Sequence, residues 1–159
     1  SRVKEFLEKI YNNPDEDSGE LLLSKKDKSR IVPFNLCTGK RSVDSDAKDN
    51  SLECSEMMKN QKLGLLTLSD YMNASIDPNC KSSKTNSCQN YNYLVISDDW
   101  WLVTANKDSS SEVYQVSRSG VIKSVTANNA GLVRPVIYLN SKVLYKSGKG
   151  TINKPYKVR

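Results

Sequence analysis

Trp100-Trp-Leu-Val-Thr104 opens a region of short β-branched and aromatic runs that are separated by turn residues. The later runs are Val113–Val116, Val121–Val125 and Val133–Leu139, and Ser117-Arg-Ser-Gly120 provides a turn between the second and the third. Runs of this kind are typical of strands that are connected in an antiparallel sheet. We therefore expect one connected antiparallel sheet in this part of the chain.

Side chains alternate between the two faces of a strand, so the spacing of the apolar residues predicts a buried face. Its expected members are Trp101, Val103, Tyr114, Val116, Val136 and Tyr138. Trp100 then points the other way and is a candidate platform for a sugar or a partner, because an indole ring offers a large flat surface. Burial of both tryptophans through sheet curvature is the alternative.

Apolar residues near the start follow helical spacing, which predicts an amphipathic helix from Ser1 to about Tyr11 that ends at Asn13-Pro14. Further on, Leu63–Leu68 has strand character and leads into a short helix that reaches Ala74. Thr67 and Asp70 have the spacing of a capping box at the start of that helix.

Three shorter strands are predicted, at Ile31–Phe34, Tyr93–Ile96 and Val143–Tyr145. The sequence thus indicates an α+β fold: an antiparallel sheet with one or two helices and long polar loops. Residues 1–62 form an N-terminal helix and polar loop region, and residues 63–159 form the sheet region. The length favours one compact domain overall.

Four cysteines lie in the loop-rich first half, which favours disulfides. Three pairings are possible. We prefer Cys37 with Cys54 and Cys80 with Cys88, because each pair closes a short polar loop that has few apolar anchors. A zinc site is disfavoured because the chain has no histidine and no Cys-x-x-Cys spacing; buried free thiols are the remaining alternative. Two disulfides would place the protein in an oxidising compartment.

The net charge of +6 is unevenly distributed. Nine of the 24 basic residues and none of the 18 acidic residues follow Glu112, so the first 112 residues carry 15 basic and 18 acidic residues. A basic surface attracts anionic partners. Nucleic acid is not expected as a partner, because the basic residues are spread along strands and no nucleic-acid-binding motif is present.

The sequence lacks the residues of the common catalytic and metal sites. Without histidine, neither a Ser-His-Asp nor a Cys-His arrangement can form within the chain. Asp98 and Asp99 are adjacent and would point to opposite faces of a strand, so they cannot flank one glycosidic bond. Turn capping is the favoured role for this pair over cation binding. We expect no enzyme activity, cofactor or metal.

Several blocks in the same order resemble a family of exported domains from low-GC Gram-positive and mollicute-like bacteria. The blocks are Gly64–Ser75, which contains Leu-Leu-Thr-Leu-Ser-Asp-Tyr, then Trp100–Thr104, Val113–Val116, Val133–Asn140 and the tail Gly150–Tyr156. The resemblance covers Gly64 to Arg159, about three-fifths of the chain. Members of that family often follow an N-terminal hydrophobic segment, sometimes a pilin-like one. Because this chain begins at Ser1 without a methionine, we expect that an export signal or membrane anchor preceded it.

The order of strands is also similar to the C-type-lectin-like fold, in which a sheet displays variable loops for ligand binding. Formylglycine-generating enzymes share that fold, but their catalytic cysteine pair has no counterpart here, since all four cysteines precede the tryptophan strand. The Glu-Pro-Asn and Gln-Pro-Asp loops of calcium-dependent sugar binding are also absent. The resemblance therefore implies a binding domain without either of these chemistries.

The leading hypothesis is an extracellular or cell-surface adhesion domain that binds an unknown protein or glycan, such as one of a host. Its ligand contacts are expected on loops 97–111 and 124–131, around the tryptophan strand and the hairpin, where polar residues are held by a rigid sheet. The candidate contacts are Trp100, Asn106, Lys107, Asp108, Asn128 and Asn129. The alternative is a structural subunit, a pilin or pseudopilin head, whose partners are other filament subunits. In both cases contact with a membrane is expected only through the preceding anchor.

Overall fold

The computed structural model describes residues 2–12, 23–42, 44–151 and 153–159. It is a mixed α+β structure, as the sequence predicted, but its strands form several small, mostly antiparallel sheets and not the one connected sheet that was expected. The described residues form three α-helices: α1 (Arg2–Asn12), α2 (Lys25–Arg30) and α3 (Leu68–Asn73). The helix predicted at the start of the chain is confirmed as α1, whereas the predicted end at Asn13-Pro14 lies outside the described residues.

The strands form one four-stranded sheet and three two-stranded ribbons within the described residues. The sheet has the order β3–β5–β6–β7, and its strands are β3 (Lys40–Arg41), β5 (Trp100–Asn106), β6 (Glu112–Val116) and β7 (Ile122–Thr126). The ribbons pair β1 (Ile31–Val32) with β8 (Tyr138–Leu139), β2 (Phe34–Cys37) with β4 (Met57–Gln61), and β9 (Tyr145–Ser147) with β10 (Lys157–Val158). All pairs are antiparallel except β3 with β5.

The main core lies between α3 and the sheet. From α3, Leu68, Tyr71 and Met72 are fully buried. They belong to one cluster with Trp100, Leu102, Tyr114 and Val116 of the sheet. The predicted capping box is confirmed: the Thr67 side chain accepts from the Asp70 N–H, and the Asp70 carboxylate accepts from the Thr67 N–H. The helix therefore begins where its buried face meets the sheet.

Strand β5 is covered on both faces, which explains why both tryptophans are buried. On the other side from α3, the segment around Gly131 approaches the Trp101 indole so closely that an added Cβ would lie 2.9 Å from its Nε1. The Trp101 N–H donates to the Leu132 carbonyl at 3.0 Å, which holds this segment against the strand. Trp101 is thus buried as predicted.

Trp100 is buried as well, so its assignment as an exposed stacking platform is wrong. Its ring packs edge-on against Tyr71 at 5.9 Å, and the Arg134 guanidinium lies 4.5 Å from the ring centroid. Arg134 also donates to the Leu94 carbonyl at 2.6 Å. This interaction fits the expectation that Arg134 fixes a neighbouring loop. The cation covers the face of the indole that a ligand would need.

Two predicted strands are replaced by other structures. Tyr93 and Leu94 form a turn, and Val95 and Ile96 have no regular structure, because the Asn92 side chain accepts from the Leu94 N–H and donates to the carbonyls of Tyr71 and Cys88. Before α3, Gly64 forms only an isolated bridge with Val136, so Leu63–Leu66 is not a ladder strand. An Asn side chain satisfies the backbone in the first case. In the second, Gly64 exchanges two backbone hydrogen bonds with Val136, and the Leu66 carbonyl accepts one from the Val103 N–H.

The long strand predicted at Val133–Leu139 is reduced to β8. Pro135 has no N–H for a ladder bond, and Arg134 points toward Leu94. Tyr138 was predicted to be buried but is 58% exposed, because β8 joins the β1 ribbon and not the main sheet. Val103 and Val136 are partly buried, whereas Tyr114 and Val116 are fully buried as predicted.

Both preferred disulfides are present, Cys37–Cys54 and Cys80–Cys88, and no described cysteine is free. They close loops across 17 and 8 positions of sequence. Disulfides of this kind persist in oxidising environments. No helix in the described part of the chain is long and apolar enough to cross a membrane.

A buried ion pair joins the first disulfide loop to the core. Arg41 of β3 and Glu53 have no solvent exposure, and Arg41 Nη1 lies 3.2 Å from Glu53 Oε1. Ser69 on α3 donates to Glu53 from both its N–H and its hydroxyl, and Arg41 Nη1 also donates to that hydroxyl oxygen at 2.9 Å. The pair therefore connects β3, the Cys37–Cys54 loop and α3.

We expect Glu53→Ala to lower the free energy of unfolding by roughly 3–5 kcal/mol, because Arg41 would remain buried without a counter-charge. The matched control is Asp44→Ala, which removes one partner of the exposed Lys84–Asp44 pair and should cost less than about 1 kcal/mol. Urea unfolding of both variants gives the two values. Equal, small losses would show that the buried pair is not a main constraint.

Two buried tyrosines should make the fold sensitive to alkali. Burial raises the pKa of Tyr71 and Tyr114 to about 12, whereas an unfolded tyrosine ionises near pH ~10. The folded state therefore holds these protons more tightly, and their stabilising contribution is complete below pH ~10 and is lost as the pH rises toward ~12. Urea unfolding at increasing pH should show this decline, and Tyr71→Phe should reduce its slope. A wild-type stability that is constant across this range would contradict the assignment.

Candidate functional site

Two polar loops meet at one end of the four-stranded sheet. One connects β5 to β6 over residues 107–111, and the other follows β7 from residue 127 onward. Strand β7 ends beside the start of β6, where Glu112 pairs with Thr126. The Ala127 N–H donates to the Ser111 carbonyl at 3.0 Å, which joins the loops directly. We call residues 107–111 and 127–130 the loop end of the sheet.

Asn106 lies at the base of the loop end and is held by hydrogen bonds. It is 8% exposed, and its amide donates to Glu112 Oε2 at 3.2 Å and to Ser124 Oγ at 2.8 Å. Its carbonyl oxygen accepts from the Asp108 N–H at 2.9 Å. Both ends of the side chain are therefore engaged within the protein, so the structure does not support Asn106 as a ligand contact.

Lys107 and Asp108 are exposed on a fixed backbone. The Lys107 N–H donates to the Arg41 carbonyl at 3.0 Å, and the Ser42 hydroxyl donates to Asp108 Oδ2 at 2.7 Å. Tyr114 donates to the same Arg41 carbonyl from the core side. The buried ion pair and the loop end therefore share one anchoring residue, Arg41.

Asn128 and Asn129 are also exposed. The Asn129 N–H donates to the Thr126 carbonyl, and its side-chain oxygen accepts from the Thr126 hydroxyl at 3.3 Å. These bonds form a tight turn directly after β7. The loop end thus brings together four of the six predicted contacts as exposed polar side chains: Lys107, Asp108, Asn128 and Asn129.

The acidic residues near the sheet have structural partners. Asp99 Oδ1 accepts from the Arg118 N–H at 2.8 Å, which fits the favoured turn-capping role. Glu112 Oε2 accepts from both Asn106 and Ser124. Among the described residues, no group of three or more His, Cys, Asp or Glu side chains could hold a metal ion. The chemistry available at the loop end is hydrogen bonding with one positive and one negative charge.

Sequence reasoning missed an exposed aromatic patch near the second disulfide. It consists of Tyr91 and Tyr93, which are about four-fifths exposed, and Ile76, which is similarly exposed. The Ser75–Asn92 bridge brings the two segments together. Tyr91 also has a φ of 50°, an uncommon conformation for a bulky residue. The Asn-Tyr-Asn-Tyr run at 90–93 was the available signal.

An apolar groove of about 590 Å³ lies between α1 and the β2–β4 ribbon. Its walls include Leu7 and Tyr11 of α1, Leu36 of β2 and Met58 of β4. The predicted amphipathic helix therefore leaves apolar surface open beside the ribbon.

The fold and the loop end define an α+β domain in which a small sheet displays two polar loops and disulfides close two others. The chain belongs to the DUF6273 family, described as a domain of unknown function, whose model matches residues 21–141. The matched region includes the Cys37–Cys54 loop, which precedes the motifs of the resemblance stated above. Neither the search of curated proteins nor the search of solved structures found a match.

We expect Asn106→Ala to destabilise the fold by about 1–3 kcal/mol, since it removes one of the two donors to Glu112 and leaves the Asp108 N–H without its side-chain acceptor. Asn128→Ala is the matched control, because the same substitution at an exposed turn should cost less than about 0.5 kcal/mol. Urea unfolding distinguishes the two. If both variants were equally stable, the network under the loop end would not be what fixes it.

Proposed function

We propose that this chain is a non-catalytic binding or adhesion domain of C-type-lectin-like type, whose ligand is a protein or glycan outside the cell. The observation that carries this proposal is the loop end, where two loops that are distant in sequence present exposed polar side chains on a hydrogen-bonded base. Recognition residues are most often found on loops that a rigid scaffold positions.

The architecture supports the lectin-like part of the proposal. Helix α3 packs on one face of the sheet, and Cys37–Cys54 and Cys80–Cys88 close two short loops in the preceding part of the chain. In a lectin-like domain, loops displayed by the sheet supply variable ligand contacts, which is the role proposed for the loop end. The motif resemblance and the loop geometry thus favour the same class.

The two disulfides support a location at the cell surface or beyond it, because the cytoplasm keeps most thiols reduced. The absence of histidine from the whole sequence supports a role without acid–base catalysis at neutral pH. The carboxylates of Glu53, Asp99 and Glu112 accept structural hydrogen bonds from other residues of the protein.

A structural-subunit role is the second candidate, and the apolar groove beside α1 is the observation that favours it. Phe6 of α1 is 39% exposed and Leu7 lines the groove. A helix that continued from an assembly segment would use such an apolar face to pack in a filament. Charge asymmetry between the two parts of the sequence would support head-to-tail contacts.

A glycan and protein array probed with the whole domain should identify a ligand, and the triple variant Lys107→Ala, Asn128→Ala, Asn129→Ala should then weaken binding about tenfold or more. Each lost polar contact contributes roughly 0.5–1.5 kcal/mol. Thermal stability should stay nearly unchanged, because these side chains are exposed. Titration of the purified variants against the identified ligand measures the effect.

The matched control is Tyr91→Ser with Tyr93→Ser, which alters exposed side chains of the aromatic patch. This variant should bind as the wild type does. If the tyrosine variant loses binding and the triple variant does not, the site is the aromatic patch. If neither variant changes binding and Phe6→Ser abolishes self-association, the structural-subunit role replaces the adhesion role.

A further inference from the structure

The ribbon of β9 and β10 projects a second surface that differs from the loop end. Leu144 and Arg159 exchange two backbone hydrogen bonds at its base, at 3.0 and 2.9 Å. At its tip, the Lys149 N–H donates to the Lys154 carbonyl at 2.8 Å. Gly148 and Gly150 have φ values of 113° and 74°, which residues with a side chain rarely adopt. The described residues 142–151 and 153–159 therefore form a closed hairpin, called hairpin 142–159 below, beyond the part of the chain that the family model matches.

The charge of this hairpin is entirely positive. Six basic side chains are exposed along it, and no acidic residue occurs in its sequence. They are Lys142, Lys146, Lys149, Lys154, Lys157 and Arg159. No described carboxylate forms an ion pair with any of them. Such a concentration of uncompensated charge attracts anionic partners at long range.

Aromatic rings lie among these charges. Tyr145 and Tyr156 are 61% and 67% exposed, and their rings meet edge to face at 6.0 Å. The Tyr145 hydroxyl donates to the Gly148 carbonyl at 2.7 Å, which fixes that ring. A tyrosine offers a flat apolar face and a polar tip, and this combination suits contact with a sugar ring. A basic surface that is merely solvated would not require exposed aromatic rings at these positions.

The kind of anion follows from these features together. Five of the six cations are lysines, whose ammonium groups act as adaptable point charges and not as a fixed fork for a phosphate. The disulfides indicate an oxidising compartment, in which nucleic acid is not the usual partner. A chain of sugars with repeated negative groups supplies both the charges and the rings that the hairpin can contact.

We propose that hairpin 142–159 is a binding surface for an acidic polysaccharide, separate from the loop end. The ammonium groups contact the anionic groups of the polymer, and the two tyrosines contact its sugar rings. Because the surface is mostly electrostatic, binding weakens as the salt concentration rises. The contribution of the rings persists at high salt.

Polygalacturonate is the test ligand, with neutral dextran as the comparison polymer, and binding to the whole chain is measured by titration at low and high salt. The variant Lys146→Gln, Lys149→Gln, Lys154→Gln should bind polygalacturonate roughly tenfold more weakly at low salt, as expected for three exposed charge contacts. The control Lys25→Gln, Lys59→Gln, Lys81→Gln removes the same charge from exposed positions elsewhere. Its binding should change by less than about twofold when only distant, screened charge is lost.

Equal weakening by the two lysine variants would overturn the proposal, because net charge alone would then explain binding. Equal binding of dextran would overturn it as well. Tyr156→Ala should weaken the binding that remains at high salt, and no change there would remove the assignment to a sugar polymer. Tighter binding of duplex DNA than of polygalacturonate at equal charge concentration would identify a different class of partner.

Discussion

The buried pair of Arg41 and Glu53 is the interaction through which distant parts of the chain become one structure. Two charges without solvent contact are costly unless they are paired and hydrogen-bonded, and here both guanidinium Nη atoms of Arg41 have acceptors whereas its buried Nε has none among the described residues. Here the partners come from β3, from the turn beside Cys54 and from the first turn of α3. Arg41 also donates from Nη2 to the Ser45 carbonyl at 2.7 Å, while its own carbonyl accepts from Lys107 and Tyr114. The disulfide loop, the core helix and the loop end therefore depend on the position of one residue.

Local chemistry made part of this fold predictable. The hairpin of β6 and β7 and the capping box of α3 depend on neighbours within a few residues, so their signals are contiguous in the sequence. The disulfide pairs could be selected because each encloses a short polar loop. The elements that were predicted wrongly depend on partners that are distant in the sequence. The turn at 93–96 exists because Asn92 reaches the carbonyls of Tyr71 and Cys88.

The candidate site shows the same division between local and distant information. The turn residues in the sequence predict a polar loop after β5 and another after β7. Because consecutive strands of the sheet are antiparallel, these two loops lie at the same end of the sheet. The burial of Asn106 could not be predicted from the sequence, because it depends on hydrogen bonds to Glu112 and Ser124 on two other strands. Arg41 was missed for a related reason. A charged residue in a polar stretch is usually solvated, and the parallel pairing of β3 with β5 leaves no local pattern.

The two tryptophans give the protein a built-in optical probe of its loops. Trp100 is enclosed by Tyr71 and Arg134, whereas Trp101 is covered by the short segment at Gly131 that continues from the loop end. Displacement of that segment would admit water to one indole and leave the other enclosed. Intrinsic fluorescence of the unlabelled protein would therefore report movement at 130–132 through Trp101, with Trp100 as a constant internal background.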